Sequence, residues 1–279
     1  MALIPPYFLD CVVAIGSTNP KGERMWAASG FLYGHYISPD PANESKRLYR
    51  VYLVTNRHVF EGLSEVYLRF NPQKADEPAR DYRLELVDKK GTQTWFAHPN
   101  AEIDIAVVPL NIRLLKEHAM QVAYFQSDQH VANIEKLIEL GITEGDFAYV
   151  LGFPMGLVGE KRNTVIVRSG TIARIRDCLS KSSQEYLIDA FVFPGNSGGP
   201  VVSKPEALAI TGTKSQSASY LIGVVKSYVP YRDVAISLQT KQLRVVFEEN
   251  SGLAAVHPID FVQEAIKKHI ELIESVREK

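Results

Sequence analysis

Short apolar runs, each closed by turn residues, limit what this chain can fold into. A first set covers 11–15, 28–33, 51–55, 65–70, 83–88 and 103–110. A second covers 146–152, 164–175, 185–191, 200–203, 221–227 and 234–238. Many are rich in Val, Ile, Tyr and Phe, which suit a pleated, half-buried surface. The 18 Gly and 15 Pro punctuate them as tight turns do, rather than as long helices allow. Two sets of about six strands predict an all-β protein of two six-stranded antiparallel β-barrels.

Two segments carry helical spacing instead. Val131, Ile134, Leu137 and Ile138 mark a linker helix over 127–140, between the strand sets. From Pro258 to Lys279, Ile259, Val262, Ile266, Ile270 and Ile273 mark one face of a C-terminal α-helix, with Pro258 near its first turn. That stripe is expected to dock on the protein itself. The predicted organisation is a first barrel over 8–126, a helical linker over 127–145, a second barrel over 146–245 and the C-terminal helix over 255–279. Segments 39–46 and 72–81 are polar and contain Pro, as hairpin tips or insertions do, and 211–219 reads as a flexible loop.

Several function classes are disfavoured. A formal net charge of -1 without a basic run does not suit phosphate neutralisation, so no nucleic-acid partner is expected. No stretch approaches a membrane span, and the first residues lack the parts of a signal peptide. The two cysteines, Cys11 and Cys178, allow at most one disulfide, and a cytoplasmic location is expected. His and Cys never fall at metal-ligand spacings, and no glycine-rich loop opens a βαβ unit. No metal and no cofactor are therefore predicted.

The chemistry concentrates in three places. Phe193-Pro194-Gly195-Asn196-Ser197-Gly198-Gly199-Pro200 holds a serine on a glycine-rich turn ahead of a strand. Glycine permits the dihedrals that expose the hydroxyl and gather N–H groups, so Ser197 is a candidate nucleophile. The N–H groups of Gly195 and Ser197 are the candidate oxyanion hole. His58 follows an apolar strand in Thr55-Asn56-Arg57-His58-Val59, anchored yet able to reach a cleft, and an imidazole can take a proton near neutral pH. Asp104 heads the apolar run of Ile103-Asp104-Ile105-Ala106-Val107-Val108, where a carboxylate needs hydrogen bonds; Glu102 is its rival. The other histidines lack such placement, with His98 the only one close enough in sequence to Asp104 to merit a test. A His58–Asp104–Ser197 triad is predicted. Its chain order excludes the α/β-hydrolase and subtilisin orders.

Together these three motifs resemble the signatures of the trypsin-like (chymotrypsin-fold) serine peptidases. The bacterial Deg/HtrA branch is nearest, through Ser29-Gly30-Phe31-Leu32, Leu151-Gly152-Phe153-Pro154-Met155-Gly156-Leu157 and Asp189-Ala190. The resemblance spans about 8 to 240. It implies two perpendicular barrels with the cleft between them, His58 and Asp104 from the first and Ser197 from the second. Animal relatives carry Asp before the serine, where Asn196 stands here, so activation by a freed N-terminus is not expected. About forty residues follow the second barrel, and no PDZ domain is expected in them.

The resemblance further implies a specificity pocket with its floor at Phe191 and a wall at Lys226, Ser227 and Tyr228. No acid stands at Phe191, so small or medium apolar residues are the expected preference, although Lys226 could select an acidic one. The implied activity is serine endopeptidase cleavage of protein or peptide substrates. The alternatives are a regulatory or binding module held inactive until a partner triggers it, and an esterase using the same triad. The two helices would be the docking elements for a regulatory partner.

Overall fold

Side chains that alternate with period two bury one face of a sheet, and the apolar runs pair accordingly. A computed structural model describes residues 4–41 and 43–277. In the first half, β1 (Val12–Thr18), β2 (Arg24–Asp40), β3 (Asn43–Thr55), β4 (Glu65–Phe70), β5 (Arg80–Glu85), β6 (Phe96–Ala97) and β7 (Ala106–Pro109) form one sheet. Its order is β5-β4-β1-β2-β3-β7-β6, with β8 (Phe125–Gln126) alongside β2. All neighbours are antiparallel except β2 and β8.

The second half supplies β9 (Phe147–Gly152), β10 (Ile166–Arg174), β11 (Tyr186–Asp189), β12 (Pro200–Ser203), β13 (Leu221–Ile236) and β14 (Leu243–Pro258). These close into a barrel in the order β10-β11-β14-β13-β12-β9. The two-barrel, all-β architecture is therefore present. The second barrel is closed, whereas β5 and β6 at the two ends of the first sheet do not pair, leaving a half-barrel.

Three boundaries differ from the sequence expectation. The linker helix, α3 (Ile134–Leu140), begins later than 127, after the short helices α1 (Pro6–Asp10) and α2 (Ile112–Glu117). Asn133 caps it by accepting the Lys136 N–H at 3.0 Å, and Gly141 ends it in the left-handed region. Upstream the chain runs beside β13 instead. Ala132 N–H donates to the Leu221 carbonyl and Leu221 N–H to that of His130, which fixes 130–132 in an extended path. Second, the barrel does not end at 245. The closing strand β14 runs to Pro258, which pairs with Gly223 rather than starting a helix. The C-terminal helix follows α4 (Arg176–Leu179) in chain order as α5 (Asp260–Arg277). Third, β2 and β3 run well past 33 and before 51, so that 39–46 is largely the end of a long hairpin.

Three apolar clusters result. One fills the half-barrel around Leu53, Phe60 and Leu68, and one fills the closed barrel around Val150, Ile188 and Val256. The third lies between the halves and includes Phe31, Tyr52, Leu151, Phe153, Val224, Val262 and Ile266. Val262 and Ile266 belong to α5, which leaves the closed barrel and packs across β6 and β7 of the first sheet. Its polar contacts agree: His98 Nε2 meets Glu264 at 3.0 Å and His269 Nδ1 meets Tyr52 Oη at 3.1 Å. The apolar stripe of α5 is thus used internally, strapping one half to the other. Among the described residues no helix is long and apolar enough to cross a membrane.

Candidate active site

Strand β3 ends at Thr55, and the chain turns through a single 3-10 turn, Arg57–Val59, that carries His58. Phe60, fully buried, plugs the turn into the half-barrel core. The loop before β7 carries Asp104, and the two residues bond twice. His58 Nδ1 lies 2.6 Å from one carboxylate oxygen, and the His58 backbone N–H donates to the other at 3.0 Å. Asp104 is also held through its own backbone. Its carbonyl accepts from Asn56 Nδ2 at 2.7 Å, and its N–H donates to His257 Nε2 at 3.1 Å. The Arg57 guanidinium reaches the Ala101 carbonyl and tethers the same loop. Glu102, the rival acid, is exposed, with its N–H on Asn100 Oδ1.

The electrostatics follow from burial and partners. The Asp104 side chain is 17% exposed and that of His58 49%, so the carboxylate is sheltered while the ring keeps an open side. Burial pushes the Asp104 carboxyl up, but the hydrogen bonds and charge of His58 more than offset it. Its pKa lies below the ordinary carboxylate value.

His257 was not singled out by sequence. It is fully buried on β14, donates through Nδ1 to the Gln184 carbonyl at 3.0 Å and accepts the Asp104 N–H through Nε2. Accepting at Nε2 requires the neutral ring, and burial lowers its pKa in the same direction. The available signal was a polar residue inside the apolar run Leu253-Ala254-Ala255-Val256-His257-Pro258. Its meaning depended on recognising β14. His98, by contrast, turns toward Glu264 of α5.

The serine turn is welded to the His58 strand. Ser29 N–H donates to the Ser197 carbonyl at 3.0 Å, and Thr55 Oγ1 donates to the Ser29 carbonyl at 2.8 Å. Gly198 sits against Thr55 so closely that a Cβ there would come within 2.1 Å of Thr55 Oγ1, and its φ is +79°. Glycine is required at that contact. The Ser29 hydroxyl, fully buried, donates to the Gly195 carbonyl at 2.6 Å and accepts the Phe153 N–H at 2.9 Å. Ser29 therefore couples β2, the serine turn and the end of β9. Sequence offered Ser29 only within a motif, without a role.

The same turn leaves two donors clear. The Pro194 carbonyl accepts from Met155 N–H at 2.6 Å. Because a trans peptide points its N–H opposite to its C=O, the Gly195 N–H faces the other way. Among the described residues neither the Gly195 nor the Ser197 N–H donates a hydrogen bond, and the Ser197 hydroxyl has no hydrogen-bond partner, His58 included. Buried Asn196 is held inside the turn, accepting at Oδ1 from Phe193 N–H at 3.0 Å.

Of the remaining predicted positions, Phe191 lies just after β11, and Lys226, Ser227 and Tyr228 are consecutive on β13. Phe191 is exposed, its ring facing Gly252 of β14. Lys226 is paired with Glu185 at 2.8 Å, Ser227 is exposed, and Tyr228 Oη donates to Glu248 at 2.5 Å. A cavity of about 230 Å³ borders His58, lined by Ile15, Ala28, Val59 and Leu63 among others.

An all-β pair of barrels, with an imidazole–carboxylate pair beside a glycine-lined serine turn, defines a class of hydrolase fold. Residues 28–208 match the trypsin-like peptidase domain family, and the chain belongs to that family. No curated protein matches the chain.

Proposed function

We propose that this trypsin-like peptidase is a serine endopeptidase working through His58, Asp104 and Ser197. The observation that carries this reading is the pair of hydrogen bonds between Asp104 and His58, with the strand end that precedes His58 joined through Thr55 and Ser29 to the serine turn. The Asp104–Nδ1 bond holds the tautomer whose Nε2 is free to accept a proton. Ser197 Oγ attacks the substrate carbonyl carbon while His58 Nε2 takes its proton. The carbonyl oxygen gains the negative charge and is received by the N–H groups of Gly195 and Ser197. Collapse breaks the C–N bond, the leaving amine takes the proton from His58, and an acyl-enzyme remains. Water, deprotonated by His58, then attacks the ester carbonyl; the bond from its carbon to Ser197 Oγ breaks, Oγ takes the proton back from His58, and the acid product leaves.

Small or apolar residues are the proposed preference at the cleavage point. Phe191 and Gly252 contribute no charge, and Glu185 offsets the one on Lys226. The cavity beside His58 would receive an apolar side chain of the leaving fragment. The motifs around Ser29, Phe153 and Asp189 support placing the chain near the Deg/HtrA branch, and two buried, unpaired cysteines suit a reducing cytosol.

A fluorophosphonate probe tests the site directly. Labelling of the wild type and none of folded Ser197→Ala is expected. Absence of label on the folded wild type would favour a regulated or binding role over catalysis.

A further inference from the structure

Beyond the barrel, β13 and β14 continue as a two-stranded ribbon, paired from Pro230 with Asn250 to Ile236 with Leu243. This stretch lies outside the family match, which ends at 208. Its large apolar side chains are exposed: Tyr231, Val234, Ile236, Val245, Val246 and Phe247 are each about half open or more. Cross-strand partners share a face, so Val234 with Val246 lies on one side and Val245 and Phe247 on the other. An isolated two-stranded ribbon is marginal in water, and an apolar one more so, unless something covers it.

The base of the ribbon lies beside the candidate site. Gly198 N–H donates to the Val225 carbonyl and Val225 N–H to that of Gly199, so β13 passes against the serine turn at Val225. Beyond Val225, among the described residues, β13 pairs with no strand except β14. One edge without a strand partner thus runs from beside Ser197 to Ile236, roughly 35 Å at strand rise, with its Val234 N–H donating to Asp233 Oδ1 at 2.7 Å. The stem is braced. Arg232 pairs with Glu248 at 2.8 Å, Tyr228 Oη donates to the same carboxylate, and Ser251 Oγ donates to the Val229 carbonyl at 2.6 Å. Charge gives no attraction to an anionic surface, because Arg232, Lys241 and Arg244 are matched by Asp233, Glu248 and Glu249.

We infer that the ribbon is a docking edge for a long, extended, apolar stretch of the substrate polypeptide on one side of the scissile bond. The inference rests on the peptidase reading above and adds the substrate class: unfolded apolar chain rather than short peptides or compact proteins. Backbone pairing supplies the affinity, and the alternating apolar side chains select the sequence.

The test uses full-length Ser197→Ala and a second form in which 231–249 is replaced by Asn-Gly, which closes a hairpin at the surviving Pro230–Asn250 pair. Binding of a fluorescein-labelled peptide of about twelve residues, alternately Val and Ser, is read by anisotropy. The shortened ribbon is expected to weaken binding at least tenfold, a drop matched by Val234→Lys/Val246→Glu in the intact ribbon. In parallel, both ribbon forms with Ser197 restored are expected to cleave a short peptide amide equally. Equal anisotropy with and without the ribbon overturns the inference. So does a wild-type dimer by sedimentation that becomes monomeric on shortening, because a second copy then covers the ribbon. Cosedimentation with anionic vesicles that needs the ribbon would also overturn it. Failure to cleave the short amide in either form counts against the peptidase reading alone, since anisotropy still reports on the ribbon.

Discussion

Asp104 is gripped at four points, two on its carboxylate and two on its backbone. That over-determination fixes the carboxylate although it stands on a short loop. Asp104→Asn keeps the size but offers a donor or acceptor in the wrong sense, so His58 is held in the tautomer that cannot accept from Ser197. Loss of roughly 10³–10⁴ in kcat on a peptide amide is expected, with KM little changed. His257 acts one step back, as a positioning residue that holds Asp104 by its N–H. Its replacement by Ala strands that amide. A stability loss of about 2 kcal/mol in urea unfolding is expected, together with a kcat decrease at constant KM. Partial recovery of kcat in His257→Gln, which can accept from the Asp104 amide, separates positioning from bulk packing. Equal kcat in wild type and His257→Ala would remove His257 from the mechanism.

At the scale of elements, the proposed site depends on a junction rather than on any strand alone. The Ser29 hydroxyl joins the serine turn to the end of β9, and its backbone joins both to β3 through Thr55. Ser29→Ala leaves the Gly195 carbonyl and the Phe153 N–H without that shared partner. Destabilisation by about 2–3 kcal/mol is expected, because buried backbone groups left unpaired cost that order. The acylation rate, read as the burst phase with an activated ester, should fall with it, since the turn that aims the Gly195 N–H loses its brace. An unchanged burst rate would show that the turn holds its shape without Ser29. The C-terminal helix is the second junction. Asp260 at its start accepts the Ile134 N–H at 3.0 Å, so α5 also steadies α3.

At the scale of the whole molecule, buried and half-buried histidines shape the response to acid. Burial lowers the pKa of four of them, His35, His130, His257 and His269. Each therefore takes up a proton more readily in the unfolded chain than in the fold. Below about pH 6.5 the unfolded state binds more protons, so stability falls as pH drops and returns as it rises. Carboxylates add to the decline at lower pH. Burial raises the Glu144 carboxyl, but hydrogen bonds led by the Ile175 N–H pull it further down, to about 2. Like that of Asp104, its stabilisation is present above the ordinary carboxylate value and lost as pH falls through the folded one. Urea midpoints should decrease continuously from pH 7 to pH 4. A midpoint flat from pH 7 to pH 5 would mean that these histidines stay accessible to protons in the fold.

The local pattern of side chains determined much of this protein. Period-two runs defined the strand sets, and three short motifs marked His58, Asp104 and Ser197 as candidates, because strands and turns leave a signature within a few residues. Only the tertiary structure decided what lies behind and beside those residues. His257 reaches Asp104 across 153 positions, an approach set by which strand closes the barrel. The middle of β14 is polar enough in sequence, Glu248-Glu249-Asn250-Ser251, to hide the strand, since a ribbon exposed on both faces has no buried side to impose alternation. The open first sheet and the strapping helix likewise follow from long-range packing. A strand's neighbours are chosen by the free energy of the whole assembled core, which no local stretch of residues encodes alone.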